Sequence, residues 1–98
     1  MSGDKLNTLV SIAIFAAQHG MHWINLGMLP GWNSSSGSGE DLNRLGSSLG
    51  AMAQANVDEG PDVVPPASDV RTAYGLGVRV ATVTHQLVRG KIALAGPA

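Results

Sequence analysis

The stretch Ala16-Ala17-Gln18-His19-Gly20-Met21-His22-Trp23-Ile24-Asn25-Leu26-Gly27-Met28-Leu29 decides how the chain is read. It opens in an apolar helical run, carries at Gly20 a residue suited to the left-handed position past a helix end, and continues as a second apolar run that stops at Pro30-Gly31. The second run, residues 21–29, lacks period-two alternation. That pattern favours a strand covered on both faces over a hairpin strand. A helix followed almost directly by such a strand predicts an α/β layer, in which a crossover helix returns the chain to a parallel sheet.

Upstream, residues 4–18 read as a helix, with Ser2 or Asp4 available as its cap and His19 suited to the negative end of the helix dipole. Residues 9–17 are apolar nearly all round, a pattern of helices buried on more than one face. In 98 residues there is room for one domain, burying roughly 60 to 68% of its unfolded surface. Such a chain cannot cover that helix alone, so further protein or another copy is expected against it. An exposed edge on the 21–29 strand would likewise invite association, and a homo-oligomer, dimer or tetramer, is the expected state.

Downstream, residues 33–50 form a Ser/Gly-rich segment that reads as a flexible loop or as a backbone-rich loop approaching a ligand. It has no Gly-x-x-x-x-Gly-Lys-Ser/Thr phosphate loop. Gly60-Pro61 and Pro65-Pro66 keep residues 51–67 irregular, with Val63-Val64 long enough for a short edge pairing at most. Ser68 is then placed to cap a helix. Its buried face is predicted at Val70, Ala73, Tyr74, Gly77, Val80, Ala81, Thr84, Leu87 and Val88, and its end at Gly90. The domain is taken as residues 1–92, with 93–98 a tail.

Composition excludes more than it selects. Six Lys+Arg against seven Asp+Glu give a net charge of −1, which supplies no basic stripe for nucleic acid or an anionic membrane. The absence of cysteine removes disulfides and thiolate catalysis and fits a cytoplasmic location. The apolar run near the N-terminus is too short to span a bilayer and is followed by a poor signal-peptide cleavage site. His19, His22 and His85 have no Cys or carboxylate partner at ligand spacing, so no metal site is expected. The pairs Glu40-Asp41 and Asp58-Glu59 read as solvated loop charges. Trp23 reads as core and Trp32, just past the strand, as a ring placed to stack on a ligand.

Several of these residues together resemble the WrbA-type family of flavodoxin-like NAD(P)H:quinone oxidoreductases. Ser2-Gly3-Asp4 is similar to the end of the family's Gly/Ser-rich loop, and His19-Gly20-Met21 to its His-Gly-Met turn. Leu49-Gly50-Ala51 resembles a Tyr-Gly-Ala segment, and Leu76-Gly77-Val78-Arg79-Val80-Ala81 a Leu-Gly-x-Arg-Val-Ala stretch of the final helix. The resemblance covers about residues 2–87 and only the second half of the family's three-layer flavodoxin-like fold, completed here by oligomerisation. The family's first strand and the Ser/Thr-rich loop holding the flavin phosphate have no counterpart.

What the resemblance implies is FMN as cofactor, NAD(P)H as donor and a quinone as acceptor. His19 becomes the catalytic residue beside the flavin ring, donating a hydrogen bond to it, and Ser2, Gly3, Gly50 and Trp32 join His19 as cofactor-binding residues. The other expectation is a cofactor-free, homo-oligomeric binding or structural module derived from that fold.

Overall fold

The computed structural model describes residues 3–96, in which two helices are formed, α1 (Lys5–Gln18) and α2 (Ala67–Ala95). No residue among those described lies in a β-strand. The α/β, three-layer reading is therefore overturned, and with it the last parallel strand at 21–29.

Helix α1 forms where its local code places it. Its C-terminus is closed by paired backbone bonds, Gly20 N–H to Ala17 O (3.1 Å) and Met21 N–H to Ala16 O (2.9 Å), with Gly20 at φ 68°. This is the two-bond closure that a left-handed glycine permits. At the other end Asp4 occupies the cap with φ 57° and makes no side-chain capping bond. The alternative cap, Ser2, lies outside the described residues.

Residues 21–30 run on from α1 without regular structure. A strand is completed by a ladder of backbone bonds to a neighbour, and this segment makes one such bond to the loop beside it, Leu26 N–H to Ser48 O (3.1 Å). Gly27, at φ 65°, breaks the run in its middle. Trp23 anchors it through its side chain instead, with Nε1–H donating to Leu49 O at 3.0 Å. Val63-Val64 likewise forms no edge pairing; both amides donate to Gly60 O in a turn.

Helix α2 departs from expectation at both ends and on its buried face. It is capped by Pro66, not Ser68, and passes through Gly90 to Ala95, so residues 93–95 of the expected tail are helical. A mid-helix glycine costs only about 1 kcal/mol relative to alanine, too little to stop a helix with good formers on either side. The buried positions are Ser68, Asp69 and Thr72, followed by half-buried Gly75, Leu76 and Val83. The stripe predicted as core faces outward, with Tyr74 75% exposed and Val70, Leu87 and Val88 also open.

The two helices share no contact. Between them lies irregular chain, and the molecule measures 59 × 28 × 28 Å with a radius of gyration of 16.6 Å, against about 13 Å for a compact domain of this length. Only Ala16 and Leu26 are buried apolar side chains among the described residues, Leu26 at 1% exposure. Leu26→Ala is therefore expected to lower stability by about 2 to 5 kcal/mol, read as a fall in the urea midpoint; an unchanged midpoint would show that the 21–30 segment is not held by this side chain.

Candidate functional site

The most highly constrained part of the molecule is polar and lies where the loop of residues 39–54 docks on the first turn of α2. Asp69, in that turn, is 3% exposed and sits where the helix dipole favours an anion. Arg44 grips it with two bonds, Nε–H to Oδ1 and Nη2–H to Oδ2, each 2.8 Å. Gln54 N–H adds a third to Oδ2 at 2.9 Å. Thr72 is 1% exposed; its hydroxyl donates to Ser68 O (2.7 Å) and accepts from Asn43 N–H (2.9 Å). Ser68 Oγ in turn donates to Gly39 O at 2.8 Å.

Asn43 lies at the centre of the loop with φ 50°, a backbone state that asparagine tolerates better than most residues. Its amide donates to Met28 O (3.1 Å) and Ser47 O (2.9 Å), while its Oδ1 accepts from Ser47 N–H (2.9 Å). The loop is thereby joined to the 21–30 segment as well as to α2. Lys5 Nζ to Gln54 Oε1 (2.7 Å) carries the connection on to α1.

Burial by itself would raise the Asp69 pKa, but the Arg44 and Gln54 hydrogen bonds outweigh it and hold the carboxyl below its ordinary 3.8. Arg44 is raised, chiefly by its hydrogen bond to Asp69. The geometry consumes these charges internally, and a bidentate Arg–carboxylate pair joined by a backbone amide is a structural fastening. It offers no open acid, base or nucleophile to a substrate.

The residues expected to contact a flavin do not gather around it. Ser2 lies outside the described residues. Gly3 lines a cleft of about 230 Å³ with Lys5, Thr8, Leu9 and residues 51–53. His19 is at the opposite end of α1, about 21 Å away by helix rise. There it is exposed, with its ring centroid 4.4 Å from that of Phe15. Gly50 is buried beneath Leu9, whose Cδ2 would stand 3.0 Å from an added Cβ. Trp32 is half-exposed and covers Gly39.

Gly3 and Gly50 thus flank the same end of α1, while His19 and Trp32 stand apart from them. As a set they do not fit FMN in this chain. Among the described residues no group of three or more His, Asp or Glu could hold a metal ion, and no helix is long and apolar enough to cross a membrane.

Sequence reasoning missed Arg44, Asn43, Gln54, Asp69 and Thr72. Arg44 carried one available signal, as the only cation between Lys5 and Arg71. Because the folded pKa of Asp69 is depressed, its contribution is present above the unfolded value of about 3.9 and is lost as pH falls through the folded value. The loss of stability below about pH 4 should therefore be shallower in Asp69→Asn than in the parent. Arg44→Ala, which strands the buried carboxylate, is expected to cost about 3 to 5 kcal/mol at neutral pH. Urea titrations across pH 2.5–7 check both, and parallel curves for parent and Asp69→Asn would refute the assignment.

No protein-family model matches the chain, and no solved structure matches it significantly. One curated protein does, Flavodoxin FldP of Pseudomonas aeruginosa (strain UCBPP-PA14), 37% identical over 87 residues. The match takes in 89% of this chain and 46% of that protein, so the chain spans about half the length of the relative it matches. Identity at that level across most of the chain supports a flavodoxin-like family for it, and does not narrow it to the WrbA-type quinone oxidoreductases.

Proposed function

We propose that the chain serves FMN-dependent electron transfer as one part of a flavodoxin-type flavoprotein. The observation carrying this reading is the 37% identity over 87 residues to a protein named a flavodoxin. The chain spans 46% of that relative, and its candidate contacts are dispersed, Gly3 and Gly50 beside the start of α1, His19 at its end and Trp32 over Gly39. Both facts fit a part that supplies one flank of a flavin site, with further protein supplying the rest. Within this reading His19 and Trp32, both exposed, are the side chains free to meet a ring, and the Gly3–Gly50 end is the more enclosed.

The finer reading, an NAD(P)H:quinone oxidoreductase, rests on the motif resemblance at His19-Gly20-Met21 and residues 76–81, and its placement in the cytoplasm on the lack of cysteine. A second reading, a cofactor-free binding or structural module, is favoured by the same dispersal of the candidate residues. It is favoured too by a best-ordered polar cluster whose charges are already spent on one another.

A titration of FMN against the purified chain, followed by flavin fluorescence and repeated with His19→Ala, separates the two. Saturable quenching that weakens severalfold in the variant supports flavin binding through His19. No quenching up to 100-fold excess of chain overturns flavin binding by this chain on its own.

A further inference from the structure

The outer face of α2 carries exposed apolar side chains from its first turn to its last. Val70, Tyr74, Val80, Leu87, Val88 and Leu94 are all exposed, from 38% at Val80 to 90% at Leu94. Their spacing is that of a heptad, in which Val70, Gly77, Thr84 and Lys91 occupy the first position and Ala73, Val80, Leu87 and Leu94 the fourth, with Tyr74, Ala81 and Val88 directly beside, so that the seam is apolar or small as far as Val88 and carries one cation near its C-terminal end. Such a seam on a 29-residue helix is the geometry that packs helix against helix. The small residues Ala73, Gly77 and Ala81 let a second helix approach closely.

Area and charge select the occupant. The chain exposes 7199 Å², against about 5,300 Å² for a compact monomer of its mass. The excess, about 1,900 Å² by the same scaling, is more than twice the roughly 800 Å² that each partner contributes to a standard interface. Charge then sets the direction. After Asp69 the helix holds no acidic residue but carries Arg71, Arg79, Arg89 and Lys91. The acidic residues Asp58, Glu59 and Asp62 immediately precede its N-terminal end, Glu59 sharing a cleft with Pro66.

A second copy laid parallel would superpose Arg89 and Lys91 on themselves. Laid antiparallel, it brings that basic end toward the acidic one and opposes the two helix dipoles favourably. We infer that the chain forms a homodimer through an antiparallel pairing of α2 along this stripe. The inference goes beyond the flavin reading and does not depend on it.

Light scattering with size-exclusion chromatography should give the mass of two chains, not the 10.1 kDa of one. Leu87→Glu and Val80→Glu should each return the monomer, with helical circular dichroism retained because both side chains are exposed. Thr82→Glu, on a different face, should remain dimeric. The absence of native cysteine makes direction readable by single-site crosslinking with a short bismaleimide.

Ala81→Cys, near the centre of the stripe, should crosslink to itself. Leu94→Cys should not, but should crosslink to Val70→Cys in a mixture. A monomeric parent at 100 µM, a dimer indifferent to both glutamates, or self-crosslinking of Leu94→Cys would each overturn the inference.

Discussion

The grip of Arg44 on Asp69 is the constraint from which the rest of the tertiary structure follows. Neither helix touches the other, so their relation is set by what the intervening chain attaches to. Residues 39–54 form no regular element of their own, yet they meet the first turn of α2 through Gly39, Asn43, Arg44 and Gln54. From there Asn43 reaches Met28 and Gln54 reaches Lys5. Helix α1 is thus referred to the first turn of α2, and the extended segment both to that turn and to mid-helix, where Arg79 donates to Asn25 O (3.0 Å) and Oδ1 (3.1 Å). Loosening the ion pair would leave a buried carboxylate without its cation, with the loop still tied to its neighbours by Asn43, Ser68 and Trp23.

This arrangement assigns specificity and stability to different groups. Buried ion pairs lose in desolvation much of what they gain in attraction, and an apolar replacement of similar shape is often as stable. What a bidentate pair supplies is direction, since the two parallel bonds admit one approach of the loop and reject others. The apolar contribution is small by comparison, with Leu26 and Ala16 the only apolar side chains buried among the described residues. A fold built in this way is uniquely shaped but thinly stabilised. That agrees with its length-to-radius mismatch.

What could be read from sequence divides along the distance over which the governing interaction acts. The end of α1 is legible because Gly20 and Met21 close it, donating to carbonyls three and five residues back. The 21–29 segment was misread because an apolar, unpatterned run becomes a strand only if another strand pairs with it. Its composition says nothing of the absent neighbour or of the break at Gly27. Gly90 reads as a terminus in sequence, yet the cost of a single helical glycine is small beside the gain from continuing. The fastening residues left almost no local trace, since Arg44 and Asp69 stand 25 positions apart and Asn43 and Thr72 stand 29 apart. The flavin contacts were placed by likeness to a fold whose sheet this chain does not form, so His19 and Gly3 lost the common centre that a sheet edge would give them.

Helix α2 was read with the right periodicity and the wrong orientation, and the reason is physical. A helix in a small domain ordinarily turns its apolar stripe to the core because that is where other apolar groups are. Here the chain that meets the first turn is the Ser/Gly-rich loop, whose ordered groups are backbone amides, carbonyls, an arginine and an asparagine, while the 21–30 segment meets the next turns at Gly75 and Arg79. Those groups must be satisfied when buried, and only the face bearing Ser68, Asp69 and Thr72 can satisfy them. The polar face therefore turns inward and the apolar face is left outside. A helix inverted in this sense cannot find cover for both faces within the chain, because the loop that would bury its valines and leucines would have to leave its own polar groups unpaired.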